Sequence, residues 1–149
     1  MKKTKRWLLV ADGKQAQAYH YDGPSNLPRA DPTFSFAHED AYSRDILSDK
    51  PGRMASGGGA GNSAFTPRTD AHELEETRFL DQIAEQLAVA VETGQCETVI
   101  LAAPPKALGH LRKKLPATAS RAISHQIDKD LTNLPLQKLG KVIGDYLAA

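Results

Sequence analysis

The sequence has little cysteine, few aromatic residues and almost no excess of one charge. Its 149 residues include a single cysteine, Cys96, which excludes an intramolecular disulfide and a multi-cysteine zinc site. Nineteen basic and eighteen acidic residues leave a net charge of +1, so overall charge does not favour binding to nucleic acid or membrane. The net charge does not exclude a local basic patch. The five histidines show no metal-ligand spacing, and we expect no metal and no cofactor.

Long hydrophobic runs are also absent. The apolar run behind the basic N-terminal residues, Trp7 to Ala11, ends at Asp12 and is too short for the apolar core of a signal peptide. No run approaches the length of a membrane-spanning helix. The sequence therefore predicts a soluble, cytoplasmic protein without a membrane span.

The composition is otherwise that of an ordinary globular chain. Hydrophobic residues make up 40% and charged residues 25%, and the length matches one domain over residues 1–149. Aromatic residues are only 6%, which leaves few rings for stacking on RNA bases.

The first third of the chain predicts three strands. Trp7 to Ala11 is continuously apolar, whereas Ala16 to Tyr21 and Thr33 to His38 alternate. Three prolines predict an irregular connection between the second and third strands: Pro24, Pro28 and Pro32. Short connections favour an antiparallel meander.

Helical spacing of apolar residues begins after the middle of the chain. Asp70 and Glu73 have the spacing of a capping box, so we expect a helix to begin at Asp70 and to end before Gly94. Thr98 to Ala102 then predicts a strand.

The remaining chain predicts two more helices and one more strand. Pro104-Pro105 opens a helix that buries its leucines. Ile123 to Ile127 predicts a fifth strand with His125 on its apolar side, and Asn133 and Pro135 open a last helix. That helix is expected to bury its apolar residues: Leu136, Leu139, Val142, Ile143, Tyr146 and Leu147.

The resulting order is β-β-β-loop-α-β-α-β-α. We therefore expect an α/β fold in which a mixed five-stranded sheet is flanked by helices. This is the element order of the ribonuclease-H-like fold.

A glycine-rich loop over about residues 40–69 is the most informative segment. No acidic residue lies between Lys50 and Thr69, whereas Lys50, Arg53 and Arg68 are basic. Such a loop can approach a phosphate backbone closely. The candidate residues in it are Lys50, Arg53, Gly57, Gly58, Gly59, Asn62 and Arg68. A plain connector with incidental cations explains the same composition.

The second predicted helix is also basic. Lys106, His110, Arg112 and Lys113 could join the loop cations in one RNA-binding surface. The alternative is an ordinary solvated helix face.

Catalytic patterns are incomplete. A two-metal nuclease site needs several carboxylates around the cations. Asp12 follows the first strand and the first helix carries glutamates, but the fourth strand leads to Pro104-Pro105-Lys106 instead of a carboxylate. Asp12 is a candidate polar site residue, or a turn residue before Gly13. Whether the protein is an enzyme stays open, and the residues favour a non-catalytic role.

Three segments together resemble the bacterial host attachment protein family, also described as protein required for attachment to host cells. They are Trp7–Gly13, Pro104-Pro105 with the following Leu108-Gly109 and Leu111-Arg112, and Asp130–Thr132 with Leu134-Pro135. The resemblance runs nearly end to end.

This family is similar in fold to the middle domain of archaeal and eukaryotic class-one peptide release factors. Those factors carry a Gly-Gly-Gln loop before a long helix. Gly58-Gly59 matches the glycines, but Ala60 stands where glutamine would follow, and Asn62 is the nearest amide. The resemblance therefore implies a loop that enters an RNA site without the release chemistry.

Three functions follow in order of preference. The first is a non-catalytic cytoplasmic module associated with the ribosome or RNA, which affects attachment indirectly. The second is a protein-interaction or regulatory domain in attachment, with a protein partner. The third is a nuclease or a peptidyl-ester hydrolase.

Overall fold

The computed structural model describes residues 5–23, 26–37 and 67–148, with the backbone alone for 67–70. Over these ranges five strands form one sheet: β1 (Arg6–Ala11), β2 (Gln15–His20), β3 (Arg29–Ala37), β4 (Thr98–Ala102) and β5 (Ile123–Ile127). Four helices accompany them: α1 (Pro67–Glu92), α2 (Pro105–Lys114), α3 (Ala117–Ala122) and α4 (Leu136–Ala148). The predicted α/β fold with a mixed five-stranded sheet flanked by helices is confirmed.

The strand order is β3-β2-β1-β4-β5. β1 pairs antiparallel with β2, and β2 with β3, because tight or short connections reverse the chain. β4 pairs parallel with β1 and with β5, since a helical crossover precedes each of these pairings. β1 lies at the centre, which explains its unbroken apolar sequence.

The helices cover the two sides of the sheet unequally. On one side α1, α2 and α3 pack over the sheet, and the core there includes Trp7, Leu9, Leu101 and Ile83. On the other side α4 is the only described helix, and it buries Leu139 and Ile143 against β1, β4 and β5. Tyr19 of β2 packs against this second core, whereas β3 contributes no residue to it.

The expected start of the first long helix is wrong by one turn. α1 begins at Pro67, and Asp70 lies inside the helix instead of capping it. Proline suits the first helical turn because it needs no amide partner there. The expected end is confirmed, because Gly94 adopts a φ of 80°, which favours glycine.

Pro32 belongs to β3, although the sequence predicts it in an irregular connection. β3 is an edge strand, and its pairing with β2 shifts register between Gln17 and Tyr19. A proline has no amide to donate and is tolerated at such an edge or bulge. β3 therefore begins four residues earlier than predicted, at Arg29.

The β5 region differs in two ways from the sequence prediction. The short helix α3 precedes the strand and takes up Ala122, which the alternation had placed in β5. His125 is exposed although it stands on the same side of β5 as the buried Ile127, because β5 is an edge strand. The β4–β5 pairing shifts register between Val99 and Ile100, which places Ile123 on the opposite side. The Nδ1 atom of His125 lies 3.1 Å from the Ser124 hydroxyl.

The last helix buries fewer residues than its sequence suggests. Leu139 and Ile143 are buried, as predicted. Leu136 and Tyr146 are 40% and 36% exposed, so the expectation that they lie inside is wrong. A single helix on a sheet buries only a narrow stripe, and these two residues lie outside it.

Candidate functional site at the carboxyl edge of the sheet

Several elements converge where the parallel strands β1 and β4 end. In open α/β sheets this carboxyl edge is the usual place for ligands. β2 starts and β3 ends at the same edge, because Gln15 pairs with Ala37. The glycine-rich segment follows β3 in the chain and precedes α1, whose Glu76 lies against the β1–β2 turn. The elements that precede and follow this segment, β3 and α1, therefore both reach the carboxyl edge of the sheet.

Asp12 forms the turn between β1 and β2. Its Oδ1 accepts hydrogen bonds from the amides of Lys14 at 2.7 Å and Gln15 at 2.8 Å. Its Oδ2 lies 3.1 Å from the Thr132 hydroxyl and shares the single proton of that hydroxyl with Asp130 Oδ1, which lies nearer at 2.5 Å. These contacts make Asp12 a turn residue that ties β1 to the loop after β5.

Gly13 lies directly against α1. A Cβ atom at Gly13 would lie 2.9 Å from the Cδ and Cγ atoms of Glu76, so the small residue allows the turn and the helix to approach. Nine residues of α1 precede Glu76, which corresponds to about 13 Å of helix. The buried part of α1 begins only at Phe79. The start of α1 therefore projects beyond the edge of the sheet.

A groove of about 320 Å³ separates α1 from α2. Two side chains of α2 reach across it to acidic partners on α1: His110 Nε2 lies 2.6 Å from Asp81 Oδ1, and Lys106 Nζ lies 3.7 Å from Glu73 Oε1. Lys113 also lines the groove. The sequence did not indicate these pairings, since the partners are far apart along the chain.

Lys106, His110 and Lys113, three of the predicted basic residues of α2, line this one groove. Lys106 lies at the carboxyl edge, where α2 begins, and its side chain is 81% exposed. Arg112 and Lys113 are exposed near the other end of α2, on the order of 10 Å along the helix. His110, between them, is turned toward Asp81. The loop candidates Lys50, Arg53, Gly57, Gly58, Gly59 and Asn62 lie outside the described residues, as does the side chain of Arg68.

A second groove, of about 230 Å³, lies on the α4 side of the sheet. Its floor follows the antiparallel pairing, in which Val10, Gln17 and Ser35 stand side by side on β1, β2 and β3. Thr132 closes one end. The full lining is Val10, Gln15, Ala16, Gln17, Tyr19, Ser35, Phe36, Ala37 and Thr132. Sequence reasoning did not select these residues, although the alternation of β2 separates Gln17 and Tyr19 from Ala16 and Ala18.

The polar groups of this groove are uncharged. Gln17 Nε2 donates to the carbonyls of Ala18, Asp31 and Phe34 at 2.7, 3.1 and 3.3 Å, which ties β2 to the irregular part of β3. Burial raises the pKa of the Tyr19 hydroxyl, so Tyr19 is neutral at physiological pH.

The single cysteine lies in the core. Cys96 is 1% exposed, and burial raises the pKa of its thiol to about 11. The thiolate, which is the reactive form, is therefore rare at neutral pH.

Metal-binding clusters and membrane-spanning helices are both absent over residues 5–23, 26–37 and 67–148. No three or more His, Cys, Asp or Glu side chains converge there in a way that could hold a metal ion. None of the helices in these ranges combines the length and the apolar character that crossing a membrane requires.

Comparison with known families identifies a match over most of the chain. The profile of the family described as "Protein required for attachment to host cells" matches residues 7–143. No curated protein matches the sequence.

Proposed function

We propose a function from the premise that the chain belongs to the family of proteins required for attachment to host cells. It acts as a non-catalytic, cytoplasmic module that binds RNA. Through this RNA binding it associates with the ribosome. Its effect on attachment is then indirect.

One observation carries the proposal. The glycine-rich segment is flanked on both sides by elements at the carboxyl edge, since β3 ends there at Ala37 and α1 contacts the edge through Glu76. The segment holds Lys50 and Arg53 and has no acidic residue beyond Lys50. Ligands of open α/β sheets bind at this edge.

The exposed Lys106 side chain adds a cation at the same edge. Its ion pair with Glu73 spans 3.7 Å, and the two side chains are 81% and 57% exposed. Exposed pairs of this kind stabilise little. Lys106 can therefore exchange Glu73 for a phosphate at small cost, whereas His110 lies only 2.6 Å from Asp81.

The finer fold assignment is part of the proposal. An antiparallel meander followed by two parallel strands supports a ribonuclease-H-like arrangement. The projecting start of α1, directly after the glycine-rich segment, supports the likeness to the release-factor middle domain. Because Ala60 stands where those factors have glutamine, we assign binding and not ester hydrolysis to the segment.

Charge reversal tests the proposal. The variant K50E/R53E/K106E is compared with the wild type by fluorescence anisotropy on a labelled single-stranded RNA over a potassium chloride series. We expect weaker binding and a shallower salt dependence, with the slope reduced by about 0.7 for each phosphate that the variant no longer neutralises. The matched control is K138E/K141E, which reverses two exposed lysines on α4. Equal effects of both variants, or no RNA binding by the wild type, contradict the proposal.

Sedimentation tests the ribosomal part separately. Tagged protein from gently lysed cells is run through a sucrose gradient with and without ribonuclease. We expect co-migration with ribosomal subunits that ribonuclease abolishes. Protein confined to the top fractions at low salt contradicts the ribosomal partner.

A protein-interaction role is the second candidate, because β3, an edge strand, contributes no residue to the core beneath α4. An edge strand of this kind is available to a protein partner. A pull-down that recovers one non-ribosomal protein regardless of ribonuclease favours this role, whereas recovery of ribosomes alone excludes it.

A further inference from the structure

The groove on the α4 side has a lining without charge. Its side chains come from three strands and from Thr132, and not one is acidic or basic. Thr132 and the Gln15–Ala37 pair place one end of it at the carboxyl edge. A phosphate or another ionic group gains no ion pair from such a lining. The groove therefore suits an uncharged ligand.

Several polar groups in the groove are available for a ligand. Gln15, Tyr19 and Ser35 have no side-chain hydrogen bond to any residue that the structure describes. Gln17 uses its amide nitrogen on β3, while its carbonyl oxygen accepts no bond over the same ranges. Amides offer both donors and acceptors, and Tyr19 adds a half-buried ring.

We propose that this groove binds one unpaired base of RNA, with Tyr19 as the stacking surface and Gln15, Gln17 and Ser35 as hydrogen-bond partners of the base edge. The inference rests on the RNA-binding function proposed above and names the chemistry that is recognised there. Sequence-selective RNA binding targets single-stranded bases through stacking on aromatic side chains and hydrogen bonds to base edges.

The size and place of the groove agree with this ligand. Its volume of about 230 Å³ is smaller than ordinary cofactor or drug sites, which begin near about 300 Å³, and it accommodates one flat ring system. One end of the groove lies at the edge that carries Lys106 and the elements on both sides of the glycine-rich segment. A strand held there by its phosphates would pass that end of the groove.

Two RNA probes separate base recognition from phosphate binding. The first is a labelled single-stranded oligouridine of about twelve nucleotides, and the second is an abasic strand of the same length and charge. For the wild type we expect the abasic strand to bind on the order of tenfold more weakly, which is the effect of removing one stacked base. Y19A should abolish this preference and leave the salt dependence unchanged, whereas Y19F should keep it.

Two more variants guard against misfolding and nonspecific effects. S35W fills the groove from an exposed position and should also abolish the preference, even where Y19A proves unstable. Y146A removes an exposed tyrosine on α4 and should have no effect. Thermal unfolding of each variant confirms that it is folded.

The outcomes separate the two proposals. If the wild type binds both strands equally with a steep salt dependence, RNA binding holds and the base site is overturned. A preference for bases that survives both Y19A and S35W also overturns the site. If neither strand binds, the RNA-binding function itself fails, and the β3 edge is left to a protein partner.

Discussion

Replacing Gln17 by leucine tests how β3 is held on the sheet. β3 contains Pro32 and shifts register against β2, so backbone pairing alone does not satisfy its carbonyl groups. The Gln17 amide donates to the carbonyls of Asp31 and Phe34 on the irregular strand. Leucine has a similar volume but cannot donate, so Q17L removes these bonds and little else.

The magnitude follows from the three carbonyl contacts of this amide, at 2.7 Å to Ala18, 3.1 Å to Asp31 and 3.3 Å to Phe34. The Nε2 atom carries two hydrogens, so the contacts amount to two neutral hydrogen bonds, each contributing about 0.5–1.5 kcal/mol to stability. Carbonyls left without a partner and half removed from water add to the loss. We expect the free energy of unfolding to fall by about 1–3 kcal/mol. At roughly 2–4 °C per kcal/mol for a chain of this size, the loss is also visible in Tm.

Urea unfolding followed by circular dichroism measures the effect. Q15L is the matched control, because Gln15 lies two residues away on the same strand and face and its exposed side chain has no hydrogen bond to a described residue. Q17L should lower the midpoint at unchanged m-value, whereas Q15L should stay within about 0.5 kcal/mol of the wild type. Equal stabilities of the two variants would refute the role of Gln17.

Three other predictions concern single side chains. Cys96 should react with a thiol reagent only after unfolding, because it is 1% exposed with a pKa of about 11; labelling of the native protein at the rate of a free thiol would show otherwise. D12A should lower the free energy of unfolding by about 1–2 kcal/mol, since the amides of Lys14 and Gln15 lose a carboxylate acceptor. The control is D145A, which changes an exposed aspartate and should have little effect in the same urea assay. Burial opposes ionisation of Asp31, but the hydrogen bonds from Thr33 and the charge of His20 lower its pKa below the usual 3.8. Its stabilising contribution is thus complete above about pH 4 and lost as the pH falls through the lowered value, so the wild type should lose more stability than D31N between pH 5 and pH 2; parallel pH curves would contradict this.

Local patterns were enough to predict most of the sheet. The apolar run of β1, the alternation of β2 and the short run of β4 each identify a strand, because burial on one or both faces determines which residues a strand can carry. The same patterns predict a mixed sheet, since tight turns give antiparallel neighbours and helical crossovers give parallel ones.

The errors arise where tertiary context outweighs local preference. Pro32 ordinarily ends a strand, yet β3 is an edge and Gln17 supplies the donor that the backbone lacks. The alternation around His125 predicts a buried side chain, but β5 is an edge strand, and His125 is exposed although it shares a side with the buried Ile127. The position of an edge is not encoded in local periodicity.

The candidate site was harder to predict than the fold. Lys106 and His110 belong to one basic helix in the sequence, and nothing local shows that α1 places Glu73 and Asp81 opposite them. The groove containing Tyr19 depends on how three strands and the loop at Thr132 are placed together. Such features follow from the packing of elements that are distant along the chain.

The contact between Gly13 and Glu76 links the turn after β1 to the groove between α1 and α2. Glu76 lines that groove together with Glu73, Lys106 and His110. A side chain at position 13 would meet the Glu76 side chain at 2.9 Å and displace it first, because a side chain rotates more easily than a packed helix moves. A substitution of Gly13 would therefore reposition a carboxylate at the groove without altering any residue of α1 or α2.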